Sequence, residues 1–85
     1  MIDHSLPSEA ISLMMGDRYR THGDPAETLT RIAGLWQSLL NVPITAADVA
    51  KMMTLVKIAR SRANYDRDHF VDAISYLLLA ESLDR

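Results

Sequence analysis

Apolar residues recur at spacings of three and four along most of this chain, and four helical segments follow from that pattern. The first spans about 7–15. Pro7 suits a first turn, Gly16 stops the helix, and Ala10, Ile11, Leu13 and Met14 form its apolar side. Residues 16–23, a Gly-Asp-Arg-Tyr-Arg-Thr-His-Gly stretch, read as a polar loop. The second helix spans about 25–41. Asp24 is placed to cap it, Pro25 fits its first position, and Glu27 can reach back to the cap amide. Leu29, Ile32, Ala33, Trp36, Leu39 and Leu40 give it one apolar stripe, and Asn41 and Pro43 end it.

The third helix spans about 46–62 and opens on Thr45-Ala46-Ala47-Asp48, a capping box with Asp in place of Glu. Its main stripe is Val49, Met52, Met53, Val56 and Ala59. Leu55 and Ile58 lie off that stripe and predict a second contact face. The fourth spans about 66–83, capped by Asn64 or Asp66. Phe70, Ala73, Ile74, Leu77 and Leu78 form one side, and Asp68, Asp72, Tyr76, Leu79 and Leu83 form another. No strand pattern competes. The expected fold is all-α: one domain over residues 1–85, built as a small antiparallel bundle of about four helices.

Composition adds an expectation about assembly. Of the 85 residues 48% are hydrophobic, while a domain this small buries only roughly 60% of its unfolded surface. The surplus predicts a homo-oligomer. The lack of cysteine excludes disulfides, thiolate metal sites and a cysteine nucleophile. The longest apolar run, Tyr76 to Ala80, is too short to span a bilayer, so no membrane partner is expected. The start, Met1-Ile2-Asp3-His4, lacks the basic opening and apolar stretch of a signal peptide, and a cytoplasmic protein is the expectation. A net charge of −2 argues against neutralising the phosphates of duplex nucleic acid.

Charge is nonetheless local. Residues 57–67 carry Lys57, Arg60, Arg62 and Arg67 against Asp66. On the following helix Asp68, Asp72 and Tyr76 step by four and stack along one side. Two carboxylates so spaced can share a cation or a donor. They also suit plainer roles: Asp68 favours the helix start, and Asp72 can pair with Arg60 or Lys57 across the helical hairpin. Arg60 is expected at the more buried position, suited to gripping a carboxylate or phosphate. Arg18, Tyr19 and His22, between Gly16 and Gly23, combine cations with an aromatic face and suit an anionic ligand with a stacking base. A solvated connector has the same composition. The candidate ligand-binding set is therefore Arg18, Tyr19, His22, Lys57, Arg60, Asp68, Asp72 and Tyr76. No catalytic or metal-ligating residue and no cofactor is assigned.

The stretch from Asp68 to Ala80 resembles the last core helix of MazG-like nucleotide pyrophosphohydrolases, whose acids hold magnesium. Over about residues 10–80 the chain is similar to an uncharacterised family of small phage and prophage proteins. The matching stretches are Gly16-Asp17-Arg18, Gly23-Asp24-Pro25, Asp48-Val49-Ala50, Lys57-Ile58-Ala59-Arg60 and Asp68 to Tyr76. The MazG pattern is incomplete here. The glutamate-rich helix of those enzymes is represented by Asp48 followed by Lys51, Lys57 and Arg60, and the acids are spaced by four rather than three. The resemblances imply a nucleotide-like anionic ligand held without turnover, with a host immune signalling nucleotide as a target for sequestration. A reduced magnesium-dependent pyrophosphohydrolase and a helical protein–protein interaction module are the alternatives.

Overall fold

The computed structural model describes residues 1–85, leaving aside the side chain of Asp17. Five helices follow one another: α1 (Ser5–Met15), α2 (Asp17–His22), α3 (Pro25–Leu40), α4 (Ala46–Ser61) and α5 (Arg67–Asp84). No strand occurs among the described residues. The all-α expectation stands, and the four long helices lie within two residues of the expected bounds.

The stretch at 16–23 differs. Expected as a loop, it contains the helix α2. Gly16 interrupts the chain for a single residue, and its carbonyl accepts from the Arg20 amide at 3.1 Å, which starts the next turn at once. Gly23, at φ 78°, ends α2, with its amide donating to the Tyr19 carbonyl at 2.8 Å. The two glycines bracket a short helix instead of hinging a loop.

The helix starts are set by side chains. Asp24 accepts from the Ala26 amide at 3.0 Å. The reach-back by Glu27 is not made. Thr45 and Asp48 exchange both capping-box bonds, each 3.0 Å. Asp66, not Asn64, caps α5 by accepting from the Asp68 amide at 2.9 Å. Asn41 ends α3 in the left-handed region, at φ 57°. Ile44, anchored by its amide to Gln37 Oε1 at 3.2 Å, turns back into the core.

The helices α4 and α5 form an antiparallel hairpin. Its register shows in two ion pairs that bridge the helices, Lys57–Asp72 near the turn and Lys51–Asp84 at the open end. One side of the hairpin is covered, by α1 against α5 and by α3 mainly against α4. The core between these layers contains Leu29, Ala33, Ile44, Val49, Ala50 and Ala80, with Ile32, Trp36, Met53, Tyr76 and Leu79 packed onto it. It is thin: the largest fully buried side chains are valines, Val49 and Val71.

Burial corrects the expected stripes. On α4 the covered side runs through Ala47, Val49, Ala50 and Thr54, while Met52, Val56 and Ala59 face outward. The covered arc lies about one residue's rotation from the expected one, because alanine and threonine fill positions that an apolar count passes over. On α5 the side bearing Asp72, Tyr76 and Leu79 turns inward, and Phe70, Leu77 and Leu78 are exposed. Leu39, Leu40 and Ile11 are exposed as well, so the α1 and α3 stripes are narrower than their sequences suggest.

Candidate ligand-binding site

Phase along α4 decides which cation meets the acids of α5. Lys57 lies one turn beyond Met53 and Thr54 on the covered side and turns inward. Arg60 is exposed and makes no ion pair among the described residues, which reverses the expectation that it is the more buried of the two. Three residues of helix carry it toward the end of the hairpin and the edge of the covered arc.

Asp72 is the centre of the charged group. Its Oδ1 accepts from Arg18 Nη2 at 2.5 Å and its Oδ2 from Lys57 Nζ at 2.9 Å. Side-chain exposure is 13% for Asp72 and 15% for Lys57, against 43% for Arg18. Burial opposes ionisation of this carboxyl. The bonds from Lys57 and Arg18 outweigh that cost and hold it below its ordinary value. One carboxylate thus joins α2, α4 and α5. The group carries a net single positive charge, and Arg18 keeps most of its five donors free for another acceptor.

Beside this group lies a cavity of about 210 Å³. Every helix contributes to its wall. The deeper lining is apolar, with Met14 from α1, Leu29 and Ile32 from α3, Met53 from α4, and Tyr76 and Leu79 from α5. Arg18, Tyr19 and His22 of α2 complete it with exposed side chains, which places the polar and aromatic groups at its rim. The Ser75 hydroxyl, also in the wall, is buried and shares its one proton between the carbonyls of Val71, at 3.1 Å, and Ala10, at 3.3 Å, bringing α1 against α5.

Of the eight sequence-derived candidates, four line this cavity: Arg18, Tyr19, His22 and Tyr76. Two more, Asp72 and Lys57, reach it only through Arg18. Arg60 and Asp68 stand apart and exposed, Asp68 in the first turn of α5 where an acid suits the free amides. Asp68 and Asp72 therefore do not pool their charge. The apolar wall from α1 and α3 was missed. The stripe on α3 carries no mark separating residues that fill a core from those that border a gap. A second cluster was also missed. Arg67 donates to Asp3 at 3.2 Å, to Ser5 at 2.9 Å and to Glu9, fastening the start of α1 to the start of α5.

Comparison with known proteins places the chain in a family. The model of the family described as Domain of unknown function (DUF6378) matches residues 6–84. Two curated relatives are each called Gene 55 protein. The one from Mycobacterium phage D29 is 38% identical over 76 residues, 88% of this chain and 50% of the relative. The one from Mycobacterium phage L5 is 38% identical over 81 residues, 93% of this chain and 52% of the relative. The chain thus spans about half the length of the curated relatives it matches. No solved structure matches it. The expectation of an uncharacterised phage family agrees with these matches, and none of them is to a MazG-like protein. No helix is long and apolar enough to cross a membrane.

Proposed function

The chain belongs to the DUF6378 family, and for this member we propose that the cavity between its helices holds a small aromatic ring bearing an anionic group, of nucleotide type, without turning it over. One observation carries the reading. An apolar cavity is lined by a guanidinium with spare donors together with Tyr19, His22 and Tyr76. A flat ring fits among apolar walls, and Arg18 supplies the bidentate partner that a phosphate or carboxylate needs. Asp72 and Lys57 act at one remove. Asp72 fixes the direction of Arg18, and Lys57 keeps the group positive after Asp72 has taken one charge.

Size narrows the ligand. The cavity is smaller than the roughly 300 Å³ at which pockets for drug-sized molecules begin. It suits one ring system, with the anionic part outside against Arg18, rather than a whole dinucleotide. Retention without turnover suits sequestration of a signalling nucleotide, an idea supported by the likeness to phage proteins alone. The pyrophosphohydrolase alternative draws less support. Both Asp72 oxygens are taken by cations, and no three histidine, cysteine or acidic groups converge among the described residues.

Titration calorimetry against nucleosides, nucleoside monophosphates and cyclic nucleotides tests the reading. Binding by a ring-plus-anion ligand, weakened about tenfold or about 1.4 kcal/mol by Arg18→Ala, is the expected result. Tyr19→Ala weakens it in the same direction. No heat with any of these at millimolar concentration removes the proposal. A second reading, an interaction module, is favoured by the uncovered apolar side of the α4–α5 hairpin.

A further inference from the structure

The uncovered side of the hairpin has a definite pattern. On α4 it presents Met52, Leu55, Val56 and Ala59, spaced as i, i+3, i+4 and i+7. On α5 it presents Phe70, Leu77 and Leu78, with the half-buried Ile74 between them, spaced as i, i+4, i+7 and i+8. These are the spacings of a helix–helix seam. Leu55 is 63% exposed and Leu77 53%. The pairs Lys57–Asp72 and Lys51–Asp84 mark the antiparallel register, which brings Leu55 and Leu77 to about the same level along the hairpin.

This side carries six of the large apolar side chains that the chain leaves exposed: Met52, Leu55, Val56, Phe70, Leu77 and Leu78. The chain exposes 6168 Å², whereas a compact monomer of 9.5 kDa exposes about 5,000 Å². The excess over the whole surface, roughly 1,100 Å², is of the order of the roughly 800 Å² that each partner buries in a standard interface. A two-helix layer with one covered side and one bare apolar side is half of a four-helix arrangement, and a second copy supplies the other half with the same pattern.

We propose that two copies of this chain pair through the outer side of α4 and α5, with Leu55 and Leu77 near the middle of the contact. A two-fold axis through this side makes the surface its own complement, so no separate partner surface is required. The pairing stands whether or not the cavity binds a ligand, because the cavity lies on the other side of the hairpin.

Sedimentation and light scattering on the whole chain test it. The expected mass is twice 9.5 kDa, falling to the monomer in Leu55→Glu/Leu77→Glu. Leu39→Glu, in an apolar patch on α3, leaves the doubled mass unchanged. Should the double variant fail to fold, the cysteine-free chain offers another route. Leu77→Cys treated with a short bismaleimide then gives a covalent dimer, and Leu39→Cys gives far less. A wild-type monomer at high micromolar concentration overturns the proposal. So does a dimer that survives in the folded double variant, or cross-linking that favours Leu39→Cys.

Discussion

Two ion-pair clusters fasten the α1–α2 arm to α5, and water reaches them unequally. At the start of α5, Arg67 gathers Asp3, Ser5 and Glu9, with the two carboxylate side chains 45% and 40% exposed. Five residues later Asp72 gathers Arg18 and Lys57, with the carboxylate and the ammonium almost out of solvent. The outer cluster makes the more numerous contacts, yet its charges are well hydrated when the contacts are broken. The inner cluster has given up hydration that it cannot recover without moving a helix. Exposure, rather than the number of bonds, ranks the two.

Removing Asp72 should break the comparison most sharply. Asp72→Ala leaves Lys57 charged and nearly buried, and a loss of about 3 kcal/mol is expected in urea denaturation. Arg18, largely exposed, adds little to that cost. Exchanging the pair for apolar groups of similar size, Lys57→Met with Asp72→Leu, removes the stranded charge. That variant should lie within about 1 kcal/mol of the parent. If the single and double changes cost the same, the penalty lies in packing and the electrostatic ranking fails.

Acid sharpens the same contrast more gently. The Asp72 carboxyl is held below the ordinary aspartate value of about 3.9. Its contribution is therefore complete above that value and is lost as pH falls through it toward the lower folded value. Denaturation measured from pH 6 downward should show the gap between the wild type and Asp72→Ala narrowing below about pH 4. A gap that stays constant to pH 2 would contradict the assignment. The smallest effect belongs to the outer cluster. Arg67→Ala should destabilise less than Asp72→Ala, and the difference from wild type should fade in high salt, where exposed pairs are screened.

The same contrast explains how much the sequence disclosed. Caps are local chemistry, so Asp24, the Thr45–Asp48 box and the ends near Gly16 and Asn41 were readable from neighbouring residues. The period of three and four located four helices for the same reason. The direction each helix faces is not local. Alanine and threonine on α4 mark the covered side because neighbouring helices come close there, which no hydropathy pattern records. Arg18, Tyr19, His22 and Tyr76 were chosen for their chemistry, and the cavity brings them together. Arg60 was chosen by its place beside an apolar stripe that proved to face outward. The 54-residue separation of Arg18 and Asp72 put their pairing beyond any local rule.

The shallow interior has a calorimetric consequence. Heat capacity on unfolding rises with the apolar area newly exposed to water, and a chain of this length ordinarily gives about 1 kcal/mol/K. An interior in which Leu29 and Ile44 are the only buried side chains larger than valine among the described residues, the rest being mainly alanine and valine, supplies less such area. The lone chain should therefore have a broad, flat stability curve and a gradual melt, with much of its apolar area hydrated before any heat is applied.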